Sequence, residues 1–357
     1  MIKSLKLTNF RQFKNKRFDF EDGLIVITGR NTKGKSSILE AIYYLTNGQS
    51  PWSDNVDLYN EDLDYFRIDA EIEIDGYTNL YSVYRDKMKR MYQIDKKTTT
   101  PRRFFRQLSS TLFSPEQIEI LLISPSKRRE FLDDFCSKID TDYDEINNKY
   151  KKILRHRNAY VKKLSKQFYE TGIVPEIDKQ LMYWSEELAK ASVQLILKRL
   201  KYIDLLNNGD FKVVYKSTLD IDELEDLLTE NELYKLHLEK YKAGAKRDIA
   251  LGYTNIGAHR DDWSIMDGKD IKRFGSRGEK RLAIIKLIYF THSTFAKTKG
   301  FYPFLMLDDI PSELDDENII KIFNEEILNK QQTFITAIRR EEIPENILLK
   351  SQVIELD

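Results

Sequence analysis

A continuous stretch from Leu24 to Asn47 decides the fold, and it reads LIVITGRNTKGKSSILEAIYYLTN. Its first five residues are apolar or β-branched, the composition of a strand buried on both faces of a parallel sheet. Glycines and polar residues then break the strand. From Ser37 onward, apolar side chains recur at helical spacing until Gly48. The stretch therefore predicts a strand, a glycine-rich loop and an amphipathic helix, in that order.

The loop between that strand and that helix matches the pattern G-x-x-x-x-G-K-S. In such a loop, backbone N–H groups and the helix N-terminus surround phosphate groups. Lys35 is expected to reach the β- and γ-phosphates, and the Ser36 hydroxyl to bind Mg²⁺. The predicted ligands are therefore ATP and Mg²⁺. The predicted ATP contacts are Gly29, Arg30, Asn31, Thr32, Lys33, Gly34, Lys35, Ser36 and Ser37, together with Arg11 after the first strand.

A second apolar strand, Phe304-Leu305-Met306-Leu307, ends in the acid pair Asp308-Asp309. An acid pair at this place, in a chain that also carries a phosphate-binding loop, is typical of the Walker B arrangement. Asp308 is expected to join Ser36 at the Mg²⁺ ion, and Asp309 to orient the attacking water. The predicted catalytic residues are thus Lys35, Asp308 and Asp309. An ordinary surface acid pair is the alternative.

Two shorter motifs flank this strand in the sequence. Ser276-Arg277-Gly278-Glu279 precedes a helix and resembles the signature of ABC-type ATPases, whose serine and glycine face the γ-phosphate bound to the other subunit. Ser312-Glu313-Leu314-Asp315 resembles their D-loop. The residues predicted from them to contact ATP are Ser276, Gly278, Glu279 and Asp315. Each motif by itself also has the form of a helix cap.

The composition is that of a globular protein with a charged surface. The chain has 357 residues, of which 41% are hydrophobic and 32% charged, and its formal net charge is zero. The single cysteine excludes an internal disulfide. No apolar run approaches the ~20 residues that span a bilayer, and the first residues lack a signal-peptide core. These features predict a cytoplasmic protein.

The middle of the chain has a helical and highly charged pattern. Apolar residues lie near helical spacing from Tyr143 to Tyr169 and from Ile177 to Leu206, with Gly172 between the two runs. This predicts an arm of two antiparallel helices. The predicted fold is an α/β, ABC-type P-loop ATPase head with a mixed sheet and an inserted α-helical arm. Its predicted segments are 1–124 (head, with the P-loop), 125–245 (arm) and 246–357 (head, with the signature, Walker B and D-loop).

Two basic stretches are candidate DNA-binding surfaces, because lysine and arginine bind phosphates without regard to sequence. A solvated, charged helix face is the alternative for the arm. The first stretch contains Arg85, Lys87, Lys89, Arg90, Lys96, Lys97, Arg102, Arg103 and Arg106. The second contains Lys149, Lys151, Lys152, Arg155, Arg157, Lys162, Lys163 and Lys166.

Three further segments identify a particular family within the ABC-type ATPases. They are Ser114-Pro115-Glu116-Gln117 with Ser124-Pro125-Ser126-Lys127-Arg128-Arg129-Glu130-Phe131-Leu132-Asp133, then Arg155-His156-Arg157-Asn158, and Gly257-Ala258-His259-Arg260-Asp261-Asp262. Together with the motif order, they resemble the RecF family over essentially the whole chain. The resemblance implies ATP-dependent dimerisation, DNA binding near single-strand gaps, a slow ATPase, and cooperation with RecR and RecO.

The sequence departs from the family pattern in several places. Ala258 stands where the family commonly has proline, and the signature commonly reads S-Q-G-Q. ABC transporters place a histidine after the strand that follows Walker B, whereas this chain has Thr336-Ala337-Ile338. That difference favours slow hydrolysis. Glu116 or Gln117 is a candidate Q-loop residue.

Other functions remain alternatives at this point. A DNA-tethering head of the SMC or RecN type has long coiled coils, whereas the predicted arm has two helices of some 30 residues. A non-catalytic ATP-dependent scaffold for recombination mediators would not need the acid pair. A transporter ATPase is disfavoured by the arm and the missing histidine. A nuclease site at His259–Asp262 lacks a second acidic cluster nearby.

Overall fold

Alternation and continuous apolar runs in the sequence become the strands of the structure, a computed structural model that describes residues 1–52, 58–59, 64–115, 122, 124–219, 229–309 and 328–356. The strands are β1 (Ile2–Phe10), β2 (Phe13–Asp19), β3 (Leu24–Gly29), β4 (Tyr65–Ile74), β5 (Tyr77–Asp86), β6 (Arg90–Ile94), β7 (Lys97–Thr99), β8 (Ser110–Phe113), β9 (Phe211–Lys216), β10 (Asp262–Asp267), β11 (Phe304–Leu307), β12 (Thr333–Ala337) and β13 (Ser351–Leu356).

The helices include the predicted one after the glycine-rich loop and the two of the predicted arm. They are α1 (Lys35–Asn47), α2 (Pro101–Phe104), α3 (Pro125–Ile139), α4 (Tyr143–Thr171), α5 (Lys179–Asp204), α6 (Glu230–Leu251), α7 (Ile271–Phe274), α8 (Arg277–Lys299) and α9 (Glu345–Leu348). Short 3₁₀ turns occupy Phe105–Gln107 and Arg340–Glu342.

The chain divides into two compact units, one made of Met1–Ile118 with Lys299–Asp357 and the other of Glu119–Thr298. The first unit contains a five-stranded sheet in the order β13-β3-β12-β11-β8. All four of its pairings are parallel. Leu24, Ile25, Val26 and Ile27 of β3 are buried, as expected for an inner strand that is covered on both faces.

The same unit contains a six-stranded sheet in the order β2-β1-β4-β5-β6-β7, and its pairings are antiparallel. In β4, buried apolar residues alternate with half-exposed charged ones, which is the period of a strand with one covered face. Buried residues from both sheets and from α1 form one hydrophobic core. Thus the α/β head is confirmed, with its parallel and antiparallel strands in separate sheets.

In the second unit, α4 and α5 run in opposite directions, as the sequence predicted. His156 stacks on Trp184 with ring centroids 4.9 Å apart, and further along α4 the Tyr160 hydroxyl bonds Asp178 at the start of α5. Helix α6 packs against both. The unit also contains the antiparallel ribbon β9–β10, which sequence periodicity did not reveal.

The boundaries of this unit differ from the predicted arm of 125–245. The unit extends to Thr298, because segments beyond residue 245 are tied into it. Arg128 of α3 forms a bidentate ion pair with Asp262, with nitrogen–oxygen distances of 2.7 and 2.6 Å. Asp261 accepts hydrogen bonds from the Tyr215 hydroxyl and from Thr218.

The second unit contains a fully buried arginine, Arg157. Nη1 of Arg157 donates to Asp248 and to Thr254, each at 2.7 Å, and Nε donates to Ser185. Asn158 next to it accepts from the N–H and the hydroxyl of Thr254. The Arg-x-Arg-Asn motif therefore anchors the loop that begins after α6.

We expect Arg157→Gln to lower the free energy of unfolding by about 3–5 kcal/mol, because it leaves the Asp248 carboxylate buried without its cation. Arg155→Gln on the same helix is the matched control, since Arg155 is exposed, and its effect should stay within about 0.5 kcal/mol. Urea unfolding of both variants measures the difference. Equal stabilities would contradict the burial and pairing of Arg157.

Candidate functional site

The glycine-rich loop connects β3 to α1 at the carboxyl end of the parallel sheet. Gly29 has φ 154°, and a Cβ there would lie 2.8 Å from the carbonyl oxygen of Leu356. Gly34 has φ 102°, and a Cβ there would lie 2.0 Å from Nε2 of Gln12. Gly29 is therefore required by close packing against backbone as well as by its conformation, and Gly34 by its backbone conformation. Residues 30–33 between them are exposed.

Lys35 and the start of α1 create a positive end to this loop. The Lys35 ammonium donates to the carbonyl oxygens of Gly29 at 2.7 Å and Arg30 at 3.2 Å. Gly34 is the N-cap of α1, and no side chain caps the helix or places an acid in its first turn. The N–H groups and dipole of this turn suit an anion. Ser37 donates its hydroxyl to Gln12.

The acid pair meets the loop through hydroxyl groups. The Ser36 hydroxyl donates to Oδ1 of Asp308 at 3.1 Å. The Thr336 hydroxyl at the end of β12 donates to the same oxygen at 2.6 Å and accepts from the N–H of Asp309 at 2.9 Å. The structure thus unites the predicted loop and the predicted acids, although they are 272 residues apart.

The chemistry of this pair of residues fits Mg²⁺. A hydroxyl oxygen and a carboxylate oxygen are hard ligands of the kind that Mg²⁺ takes, with water and phosphate oxygens supplying the rest. Ser36 and Asp308 already lie within hydrogen-bond distance of each other, so one ion has access to both. Among the described residues, no group of three or more His, Cys, Asp or Glu side chains is arranged to hold a metal.

Arg11 lies beside the loop but is directed to α1. Its Nε and Nη2 atoms donate to the two carboxylate oxygens of Glu40 at 2.7 and 2.8 Å. The Glu40 side chain is 2% exposed, and the Ser50 hydroxyl also donates to it. In this structure, Arg11 therefore anchors the strand end to α1. Its predicted contact with the nucleotide stays a prediction.

The signature-like motif forms the start of α8 in the second unit. The Ser276 N–H donates to Glu279 at 2.7 Å, and the Glu279 N–H donates to the Ser276 hydroxyl at 3.3 Å. This reciprocal pair is a capping box. A hydrogen bond from the Lys269 ammonium to the Glu279 carboxylate lowers the pKa of Glu279 to about 2. Both Ser276 and Gly278 are exposed, so the cap leaves this turn accessible to a ligand.

The D-loop-like residues Ser312, Glu313, Leu314 and Asp315 lie outside the described residues, as do the Q-loop candidates Glu116 and Gln117. Their predicted roles stay predictions.

The Gly-Ala-His-Arg-Asp-Asp segment has a structural role in the second unit. His259 Nε2 faces the carbonyl oxygen of Thr254 at 3.0 Å and is therefore the protonated nitrogen. Its Nδ1 then accepts from the Tyr150 hydroxyl at 2.7 Å. Burial lowers the pKa of His259 to about 4, so the ring is neutral at physiological pH.

The two basic stretches differ in what they present to solvent. Arg102, Arg103 and Arg106 are exposed, and among the described residues their side chains form no ion pair or hydrogen bond. In the arm, Lys149, Lys151, Lys152 and Arg155 are exposed. Arg157, by contrast, is 0% exposed. The prediction that Arg157 belongs to a DNA-binding surface was therefore wrong, because its buried guanidinium forms an ion pair with Asp248.

Thr336 is the residue of this site that the sequence analysis missed. In the sequence, the stretch Thr336-Ala337-Ile338 was notable only because it lacks a histidine. A signal was available, since a threonine ends a continuous apolar strand close to the carboxyl end of the chain. What the sequence did not contain was the strand order, which places β12 between β3 and β11.

A parallel sheet with a glycine-rich loop at its carboxyl edge, facing an acid pair, defines the class: the fold is that of an ABC-type P-loop ATPase head. The RecF/RecN/SMC N terminal domain family matches residues 1–352. None of the helices in the described ranges has the length and apolarity required to cross a membrane.

Curated relatives narrow the class. A protein of Clostridium acetobutylicum named "DNA replication and repair protein RecF" is 31% identical and matches 94% of this chain and 92% of its own. A protein of the same name from Natranaerobius thermophilus is 29% identical, over 100% and 96%. A solved structure of the recombination mediator protein RecF with ATP, in the RecFOR pathway, has TM-score 0.83 at 27% identity, covering 96% of this chain and 93% of its own. The chain belongs to the RecF family.

The depressed pKa of His259 predicts how stability varies with pH. The folded protein keeps this ring neutral down to about pH 4, whereas the unfolded chain protonates it below about 6.5. The unfolded state then binds more protons, so stability falls as pH drops through this window, by up to about 3 kcal/mol. His259→Gln should flatten this part of the profile in urea unfolding experiments. His156→Gln is the control, since His156 is exposed; equal profiles for both variants would refute the assignment.

Proposed function

We propose that this chain is an ATP-dependent DNA-binding protein of recombinational repair and replication restart. ATP binding drives dimerisation of two heads, which clamp DNA near single-strand gaps, and slow hydrolysis releases it. The observation that carries the proposal is the contact of Ser36 with Asp308, because it joins the phosphate-binding loop to the acid pair as nucleotide hydrolysis requires. Membership of the RecF family supports the DNA-repair role.

Each residue of the site has a proposed role. The N–H groups of Gly29–Ser37 and the Lys35 ammonium bind the ATP phosphates. Ser36 and Asp308 hold Mg²⁺, which when bound neutralises charge on the phosphates. Asp309 orients the attacking water. Arg11 contacts the nucleotide if it exchanges Glu40 for a phosphate.

The second half of each site is supplied by the partner subunit. Ser276, Gly278 and Glu279 at the start of α8, with Asp315, face the nucleotide that is bound to the other head. The exposed turn at Ser276 and Gly278 supports this, because a helix N-terminus that solvent reaches is open to a phosphate. ATP would then be the ligand that holds two heads together.

The ATPase is proposed to be weak and stimulated by DNA, as suits a switch in which loss of the γ-phosphate opens a clamp. The proposed partners are duplex and gapped DNA, a second copy of the chain, RecR and RecO, all in the cytoplasm. A solved structure similar to this chain is of a RecF in the RecFOR pathway, which supports RecR and RecO as partners.

The DNA surface is proposed to lie on the edge of the six-stranded sheet. Strand β7 is its last strand, and Lys89, Lys96 and Lys97 are exposed on β6, β7 and the adjoining turns. Arg102, Arg103 and Arg106 follow directly. Lysines on an edge strand also prevent sheet-to-sheet aggregation, but that does not explain the arginines of the next turn. Arginines that form no ion pair with the described part of the chain suit a phosphate backbone.

A DNA-tethering head of the SMC or RecN type is the second candidate. Against it, the longer arm helix has 29 residues, which gives about 44 Å at the helical rise per residue, far less than a long coiled coil. A scaffold that binds ATP without turnover is the third, and the Ser36–Asp308 contact disfavours it.

Lys35→Ala should abolish ATP binding, and with it ATP-dependent dimerisation and tight DNA binding, because it removes the ammonium at the loop. The measurements are nucleotide titration, size-exclusion chromatography with ADP, ATP, and ATP plus gapped DNA, and DNA binding. Lys6→Ala, at an exposed position of β1, is the control and should behave as the wild type. Dimers that form without ATP and keep their DNA affinity in Lys35→Ala would exclude the switch.

Removing the three edge arginines tests the DNA surface. The slope of log affinity against log salt is negative, and its magnitude falls by about 0.9 for each DNA phosphate that the protein no longer neutralises. Arg102→Gln/Arg103→Gln/Arg106→Gln should therefore reduce this magnitude by up to about 2.7. The control Lys149→Gln/Lys152→Gln/Arg155→Gln removes the same charge from the arm and should leave the slope unchanged. The reverse result would place the DNA on the arm.

A further inference from the structure

Strand β12 places a buried hydroxyl between the glycine-rich loop and the acid pair. It lies between β3, which leads into the glycine-rich loop, and β11, which carries the acids. Thr336 pairs in register with Ile27 of β3. On the other side, Ile335 pairs with Leu307, the residue before Asp308. Since all three strands are parallel, their carboxyl ends meet at one edge, with Thr336 between the loop and the acids.

The Thr336 hydroxyl donates one hydrogen bond and accepts another. It is 0% exposed, so its hydrogen-bonding capacity has to be met inside the protein. The O–H donates to Oδ1 of Asp308 at 2.6 Å, the short distance of a bond to a carboxylate. The oxygen accepts from the N–H of Asp309 at 2.9 Å. One hydroxyl therefore holds the side chain of the first acid and the backbone of the second.

The backbone of Asp309 needs such support. Its φ is 49°, in the left-handed region that residues other than glycine rarely adopt. This conformation sets the direction in which the Asp309 carboxylate leaves the chain. Strained backbone of this kind persists where neighbouring groups determine it, and the bond from the Asp309 N–H to Thr336 is such a determinant.

We propose that Thr336 is a positioning residue of the ATPase site, which couples the metal-binding acid to the water-orienting acid through one hydroxyl. The inference rests on the proposed ATPase function. Thr336 holds Asp308 against the Ser36 hydroxyl, which donates to the same oxygen at 3.1 Å, and it fixes Asp309 in its left-handed conformation. A shift of either acid then moves the other.

The same strand offers a matched comparison. Thr333 is likewise 0% exposed, but its hydroxyl donates to the carbonyl oxygen of Leu328 at 3.0 Å, away from the acids. Removing the Thr333 hydroxyl therefore removes a buried hydrogen bond of β12 without touching the site. A purely structural role of Thr336 predicts equal consequences for the two threonines.

The experiment compares Thr336→Val, Thr336→Ser and Thr333→Val. Valine keeps the shape of threonine without its hydroxyl, and serine keeps the hydroxyl. Thr336→Val should lower kcat by about 10- to 100-fold, with KM for ATP within about twofold, and should weaken the apparent Mg²⁺ affinity by about 10-fold or more. Thr336→Ser should recover most of the loss, and Thr333→Val should retain wild-type kcat and Mg²⁺ dependence.

A second readout needs neither nucleotide nor metal. In the nucleotide-free protein, the Asp309 amide should be protected from hydrogen exchange in the wild type and in Thr336→Ser, and should exchange at least about 10-fold faster in Thr336→Val, since a protected amide exchanges only when its bond opens. If Thr336→Val does not fold, Thr336→Ala removes the same hydroxyl. If neither variant folds, an unprotected Asp309 amide in the wild type overturns the proposal.

Wild-type kcat and Mg²⁺ dependence in Thr336→Val would overturn the inference and leave the proposed ATPase intact. Equal losses in Thr336→Val and Thr336→Ser would also overturn it, because serine keeps the hydroxyl and should therefore keep its contribution to the site. A wild-type protein that binds ATP without hydrolysing it refutes the proposed activity. The amide exchange and Mg²⁺ affinity then still decide the role of Thr336.

Discussion

A single carboxylate oxygen, Oδ1 of Asp308, receives the hydroxyls of Ser36 and Thr336. The three residues belong to a helix start and to two strand ends, and Asp308 is 5% exposed. A carboxylate so little exposed is costly unless hydrogen bonds satisfy it. The positions of α1, β11 and β12 are therefore mutually constrained at this oxygen. A change in the register of either strand would separate these groups.

Local sequence was sufficient for much of the first unit. The run from Leu24 to Ile27 predicts an inner parallel strand because both faces of such a strand are covered, and the structure agrees. The acid pair Asp308-Asp309 was also identifiable, since chemistry and position at a strand end coincide. Thr336 was not, because its role depends on which strands are neighbours. Strand order depends on the whole chain and cannot be predicted from any one segment.

In the second unit, the charge of a residue does not predict whether its side chain is exposed. Arg155 and Arg157 are two residues apart in one helix, so they point to different sides of it, and only Arg155 is exposed. A count of basic residues treats the two alike. The second unit extends beyond residue 245 for a related reason. Arg128 and Asp262 are 134 residues apart, so the ion pair between them cannot be predicted from the composition of either segment.

The place of β12 in the parallel sheet also has a consequence for biosynthesis. Its neighbour β3 begins at Leu24 and is synthesised before β12, which begins at Thr333, so the sheet pairs segments that are far apart in the sequence. Contacts of such large sequence separation form late, and chains fold progressively as they are synthesised. A nascent chain would carry a finished glycine-rich loop long before the sheet around it could close. The contact between the Ser36 and Asp308 side chains would therefore form only after β12 has been synthesised and has paired with β3.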